Sequence, residues 1–108
     1  MKFDLRFARE VYGHMRSFSA PEQSLILQAI QQRLTDQPNV EARSRKRMRP
    51  NPLAPWELRV GKFRVFYDIL MKPQPTVEIL AVGVKERDEL RIGGKVVKLE
   101  NPGAQGSP

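Results

Sequence analysis

Arg59 and Arg64 stand on either side of a turn in "WELRVGKFRVFYDIL", Trp56 to Leu70, and the chemistry they suggest is anion binding. Gly61-Lys62 puts glycine at the first central position, which a type II′ two-residue turn requires. That turn sets Val60 opposite Phe63, Leu58 opposite Val65 and Trp56 opposite Tyr67, so these side chains share one apolar face. The other face then pairs Arg59 with Arg64 and Glu57 with Phe66. Like charges directly opposite cost about 0.2–1 kcal/mol, and an anion between them would relieve it. Guanidinium groups suit that role, because their planar fork meets phosphate or carboxylate oxygens two at a time. Bridged by Glu57, the same pair also reads as a solvated salt-bridge cluster.

The elements that must hold this hairpin can be read from hydrophobic period. Phe3, Leu5 and Phe7 alternate with Lys2, Asp4 and Arg6, as in a half-buried strand. Val11, Tyr12, Met15 and Phe18 then recur at helical spacing, although Gly13 weakens a helix interior by about 1 kcal/mol. Ser19 and Glu22 in "SAPE" form a capping-box signature, followed by the apolar stripe Leu25, Ile26, Leu27, Ile30 and Leu34. "DQPN" stops that second helix. Residues 40–55, "VEARSRKRMRPNPLAP", have no period, and Pro50, Pro52 and Pro55 forbid a helix there. "TVEILAVGV", Thr76 to Val84, is apolar on both faces and so is expected centrally in a sheet. "RIGGKVVKLE" suits a small Gly-Gly hairpin.

The expected fold is α+β: a strand, a two-helix hairpin and a three-stranded antiparallel meander, with the helices packed on one face of the sheet. It occupies residues 1–100 as one domain, with 101–108, "NPGAQGSP", as a turn-rich disordered tail. Arg59 and Arg64 are expected on the sheet face that no helix covers.

Charge narrows the partners. The chain of 108 residues carries a formal net charge of +7, which favours a polyanion such as nucleic acid, an anionic membrane or an acidic protein. No apolar run approaches the ~20 residues of a membrane span, and the N-terminus has no continuous apolar signal region. Absence of cysteine excludes disulfides, thiolate zinc sites and a cysteine nucleophile. The cytoplasm is the expected location.

The order of elements, with "WELRVGKFRVFYDI" and "VEILAVGVKERDELRIGG", resembles the RelE/ParE superfamily of bacterial toxin–antitoxin systems over roughly residues 2–95. The resemblance implies a basic toxin held inactive by an antitoxin encoded beside it. Its RelE branch cuts messenger RNA in the ribosomal A site without a metal, and its ParE branch inhibits DNA gyrase without nuclease activity. Arg64 matches a family arginine that contacts the scissile phosphate, and Arg59 matches a basic position of the preceding strand. Glu57 falls where the best-known nucleases carry a lysine, Lys85 where they carry an arginine acting as general acid, and Arg91 where they carry a tyrosine.

Metal-free RNA cleavage needs a base for the 2′-hydroxyl, an acid for the leaving oxygen and positive charge on the phosphorane. Arg59, Arg64 and Arg87 can supply the charge. Lys62 or Lys85, each a lysine among arginines, can supply the proton transfer, and Glu57 is a second candidate base that nearby cations would weaken. The expected catalytic set is therefore Arg64, Lys85, Arg59 and Glu57. The expected RNA-binding set is Lys62, Arg87 and Arg91 with the basic run Arg45, Lys46, Arg47 and Arg49. His14 reads as surface or structural. Glu86, Asp88 and Glu89 lack a metal-ligand spacing, and a helical turn capped by Arg91 is expected there. No metal or cofactor is expected; the expected partners are messenger RNA, the ribosome and an antitoxin with a net acidic segment.

Overall fold

The computed structural model describes residues 2–99, so the expected tail at 101–108 lies outside the described residues. Along the chain come β1 (Asp4–Phe7), α1 (Arg9–Met15), α2 (Ala20–Leu34), β2 (Arg45–Arg47), β3 (Trp56–Val60), β4 (Phe63–Leu70), β5 (Thr76–Glu86), β6 (Glu89–Ile92) and β7 (Lys95–Val97). All seven strands belong to one sheet in the order β2-β3-β4-β5-β6-β7, with β1 parallel to β5 and every other pairing antiparallel. The α+β class and the two helices on one face are as expected. The strand count is higher: the basic run supplies β2 as an edge strand, and the Gly-Gly hairpin adds β6 and β7.

The Gly61-Lys62 turn holds the register that the sequence implies, from Trp56 opposite Tyr67 to Val60 opposite Phe63. Gly61 has a φ of 57° while Lys62 is not among the positive-φ residues, which fits type II′ and not type I′. The apolar face it creates is buried against the helices. Trp56, Leu58, Val60, Phe63, Val65 and Tyr67 join Val11 and Met15 of α1 and Ile26, Ala29, Ile30 and Leu34 of α2 in the main core. Tyr67 stacks on Trp56 at 6.0 Å and its hydroxyl donates to the Pro38 carbonyl at 2.8 Å. Burial raises the Tyr67 pKa.

Two helical stripes are narrower than expected. The capping box forms, with the Ser19 N–H donating to Glu22 Oε1 at 2.9 Å and the Glu22 N–H to Ser19 Oγ at 3.3 Å. Accepting from Ser19 is also what chiefly lowers the Glu22 pKa. Within α2, however, Leu25 and Leu27 are exposed, and the buried line is Ile26, Ala29, Ile30 and Leu34. A short α1 ends at Met15, leaving Tyr12 exposed, while Phe18 packs edge-on against Phe63 at 5.1 Å from the linker.

β5 is central, as its two-sided apolar pattern predicts. β4 runs along one edge, while β1 pairs with Thr76–Ile79 and β6 with Gly83–Glu86 on the other. Between those two partners the edge is closed by other groups. The Ala8 N–H donates to the Ile79 carbonyl at 2.9 Å, and the Val82 N–H donates to His14 Nδ1 at 3.3 Å. His14 is thus structural, and it acts as a strand partner.

The face away from the helices is not bare. Phe66, Ala81, Leu90 and Ala54 form a second buried cluster, with Met48, Leu53, Leu80, Ile92, Val97 and Leu99 packed around it. Leu80 is the unpaired residue of a bulge between the Phe66 and Tyr67 pairings, which lets Leu80 and Ala81 both join this side. Asn51 shapes the proline-rich loop that covers it. Its Oδ1 accepts from the N–H groups of Leu53 and Ala54, and its Nδ2 donates to the carbonyls of Arg49 and Ala54. This face thus carries side chains of the loop and of the β6–β7 hairpin packed on Phe66 and Ala81, where the sequence suggests an open sheet.

Glycine substitutions separate backbone preference from crowding. Gly13 lies inside α1, and a β-carbon added there would meet nothing within 4 Å, so Gly13→Ala should stabilise by about 0.5–1 kcal/mol. At Gly83 a β-carbon would lie 2.6 Å from the Arg91 carbonyl oxygen of β6, so Gly83→Ala should destabilise by about 1–3 kcal/mol. Urea unfolding should therefore move the two midpoints in opposite directions. His14 supplies a pH test. Burial lowers its pKa from 6.5, with Glu10 opposing, and accepting from Val82 requires the neutral ring. The folded state binds its proton less readily than the unfolded chain. This contribution is complete above the unfolded value of 6.5 and is lost as pH falls below it, towards the lower folded value. Between about pH 7.5 and about pH 5 the wild type should lose more stability than His14→Asn, which keeps an acceptor but does not titrate.

Candidate anion-binding groove

β3 and β4 carry Arg59 and Arg64 directly opposite each other on the face away from the helices. Their guanidinium groups avoid repulsion by turning opposite ways along the strands. Arg59 Nε donates to Glu57 Oε1 at 3.0 Å, away from the turn. Arg64 Nη1 donates back to the turn, to the carbonyls of Gly61 at 2.7 Å and Phe63 at 2.9 Å. Partial burial lowers the Arg64 pKa from its ordinary value, Glu57 opposes that shift, and the Arg59 charge adds to it. A guanidinium so placed is still charged at neutral pH.

Arg64 opens into a groove of about 360 Å³. Glu57, Lys85, Asp88, Glu89 and Lys98 supply the rest of its polar lining, and Leu90, Val96, Val97 and Leu99 form its apolar wall. Strand pairing explains the assembly. Gly83 lies opposite Arg64, and Lys85, two residues further along β5, is on the same face and pairs with Leu90 of β6. The Gly93-Gly94 turn then brings β7 back, so Val97 pairs with Leu90 and the chain continues into Lys98 and Leu99. The absence of a β-carbon at Gly83 lets β6 pair closely with β5 there.

Glu57 is the most enclosed acid of the groove, its side chain 14% exposed beside the Arg59 partner. It pairs with Phe66 on one side and with Lys46 of β2 on the other. Among the described residues, Lys85 and Lys98 form no ion pair. No group of three or more histidine or acidic side chains among the described residues is arranged to hold a metal ion.

The remaining basic residues do not form one surface with these. Lys62 and Arg91 line a separate groove on the helical side with Ser17, Phe18, Glu22 and Glu86. Lys62 Nζ lies 3.8 Å from Glu22 there, and Arg91 is within 3.2 Å of Glu89. In place of the expected helical turn, Arg87 and Asp88 make a tight turn between β5 and β6, with φ of 52° and 66°. Arg91 sits in β6 and caps nothing. Alternation along β2 divides the basic run. Arg45 and Arg47 pair with Leu58 and Trp56 of the core-facing set, and Lys46 with Glu57 of the groove face. Arg45 is committed to the carbonyls of Val40 and Arg33, and Arg47 lies 5.7 Å over the Trp56 ring. Arg49 is exposed in the proline-rich segment.

The groove therefore unites Glu57, Arg64 and Lys85 of the expected catalytic set, with Arg59 reaching it through Glu57. Lys98 and the apolar wall are additions. The signal for them was the Gly-Gly turn: a two-residue hairpin after β6 must return its second strand beside the first, carrying "KVVKL" towards Lys85. No family model and no curated protein sequence matches this chain.

Proposed function

We propose that the protein is the toxin of a type II toxin–antitoxin system, with a RelE-like fold, that binds messenger RNA in this groove and cleaves it on the ribosome. The single observation that carries the reading is Arg64: a guanidinium fixed by two backbone carbonyls beside Lys85 and Lys98, in a groove on the face away from the helices. Fixed donors are what stabilisation of a phosphorane requires, because they need no rearrangement as charge develops. The order of one strand, two helices and an antiparallel meander also supports the RelE-like reading. In this scheme Arg64 holds the phosphate, Lys85 exchanges the proton of the leaving or attacking oxygen, and Glu57 keeps Arg59 in place. The +7 chain would be neutralised by an antitoxin segment of net negative charge covering the groove, in the cytoplasm.

Glu57 favours a second reading. Its carboxylate is already engaged by Arg59, so it is committed to an ion pair, and Lys85 is the one unpaired proton-transfer candidate of the expected set in the groove among the described residues. A ParE-like inhibitor of DNA gyrase, or a member that binds RNA and antitoxin without cutting, needs no such pair.

Single-turnover cleavage of RNA on programmed ribosomes separates these readings. Arg64→Ala should slow the bound-state rate by about 10²–10³-fold, the usual effect of removing one fixed transition-state donor. Arg49→Ala, which removes diffuse attraction only, should weaken binding and leave that rate unchanged. Lys85→Ala should be slow, and Lys85→Arg tells which proton is moved. It stays slow if residue 85 takes the proton of the attacking oxygen, for which arginine has no accessible neutral form, and keeps activity if residue 85 gives one to the leaving oxygen. Equal rates for wild type and Arg64→Ala would remove the active-groove assignment. Growth arrest in cells without cleavage by the purified wild type would favour the gyrase-directed reading.

A further inference from the structure

Three consecutive carbonyls of the β3–β4 turn serve the groove. Those of Gly61 and Phe63 both accept from Arg64 Nη1, and that of Lys62 accepts from the Lys85 N–H at 2.8 Å. One short turn thus restrains the guanidinium of Arg64 and the backbone from which Lys85 projects. Its type matters as much as its length. In types I′ and II′ the peptide between the two central residues is turned over, so the Gly61 carbonyl meets Arg64 only in the form adopted here. Glycine permits that form at a φ of 57°, where an L-residue is strained.

Among the described residues, both Arg64 bonds use Nη1, which leaves Nε–H and Nη2 without a protein acceptor. Those two nitrogens form one edge of the planar guanidinium, the edge that meets a pair of oxygens side-on.

We propose that the Gly61–Lys62–Phe63 turn is the positioning element of the groove: it clamps Arg64 by one nitrogen and so presents the Nε and Nη2 edge as a fixed fork to the two non-bridging oxygens of a phosphodiester. This inference rests on the phosphate reading of the groove and adds to it the part that aims the arginine. Gly61 acts through Arg64 and touches no ligand.

Binding of a short single-stranded RNA, followed by fluorescence anisotropy across a salt series, tests the inference. Gly61→Ala keeps every charge but disturbs the clamp, so affinity should fall about 10-fold with the salt slope unchanged. The same position carrying D-alanine, introduced by ligation of synthetic segments, accepts positive φ and should bind as wild type. Arg64→Lys keeps the charge without the fork and should also lose about 10-fold at an unchanged slope. If Gly61→Ala does not fold, the D-alanine protein must still bind as wild type and Arg64→Lys must still bind weakly. Wild-type affinity in both Gly61→Ala and Arg64→Lys, with weak binding only in Arg64→Ala, would overturn the positioning role and leave the phosphate reading standing. Wild-type affinity in Arg64→Ala would remove both. Preference for a glutamate-rich peptide over RNA would overturn the phosphodiester assignment.

Discussion

Register in the β3–β4 hairpin is the constraint on which the rest of the structure depends. A slip of one residue would carry one strand's apolar set, Trp56, Leu58 and Val60 or Phe63, Val65 and Tyr67, to the side away from the helices and turn Arg59 or Arg64 into the core. The apolar set resists such a slip because each of its members is almost wholly buried. The turn resists it independently, since glycine is the one residue of the hairpin that accepts positive φ without strain. Core packing and turn chemistry therefore specify the same register, the local and global agreement expected of a sequence with one dominant fold.

The two sheet faces solve different problems. On one side the helices supply a thick apolar layer, and the strands need only alternate. On the other, a loop built on Asn51 and the β6–β7 hairpin cover Phe66 and Ala81 and stop short of Arg64 and Lys85. The groove is what remains between that cover and the turn. Its apolar wall and Lys85 arise from the same pairing, because Leu90 and Val97 lie in the row that begins at Lys85. For the RNA proposed as ligand, such a lining offers cations to the charged backbone and an apolar wall to the bases.

Much of the fold was legible because its signals are local. The II′ turn, the capping box at Ser19 and Glu22, the Gly-Gly turn and the two-sided apolar run of β5 each depend on a few adjacent residues. What was not legible depends on partners distant in sequence. Arg45–Arg47 has neither alternation nor β-branched residues, and it is a strand only because β3 offers it an edge. Leu25 and Leu27 fit the apolar stripe by spacing, yet the sheet contacts a narrower part of α2. His14 could be read only as surface or structural, and its bond to Val82 follows from the gap between β1 and β6, which no pattern within α1 encodes. The site shows the same division. Arg59, Arg64 and Glu57 were placed by the hairpin alone, whereas the separation of Lys62 and Arg91 from them depends on the pairing of β5 with β6.

That separation changes how the chain's excess charge acts. The groove is not a concentrated basic patch: Arg64, Lys85 and Lys98 share it with Glu57, Asp88 and Glu89. The net +7 is distributed over other surfaces as well, including Lys62 and Arg91 on the helical side. Long-range attraction to a polyanion is thus a property of the whole molecule, and it fades within a screening length of about 8 Å at physiological salt. Selection at short range falls to geometry. Acidic neighbours raise the energy of an anion held loosely anywhere in the groove, and an oxygen pair offered side-on to the clamped guanidinium offsets that with two directed, charge-assisted bonds. On the proposed phosphate reading, such a site would give up raw affinity and reject anions that cannot meet the fork, as a nucleic-acid ligand held at one phosphate requires.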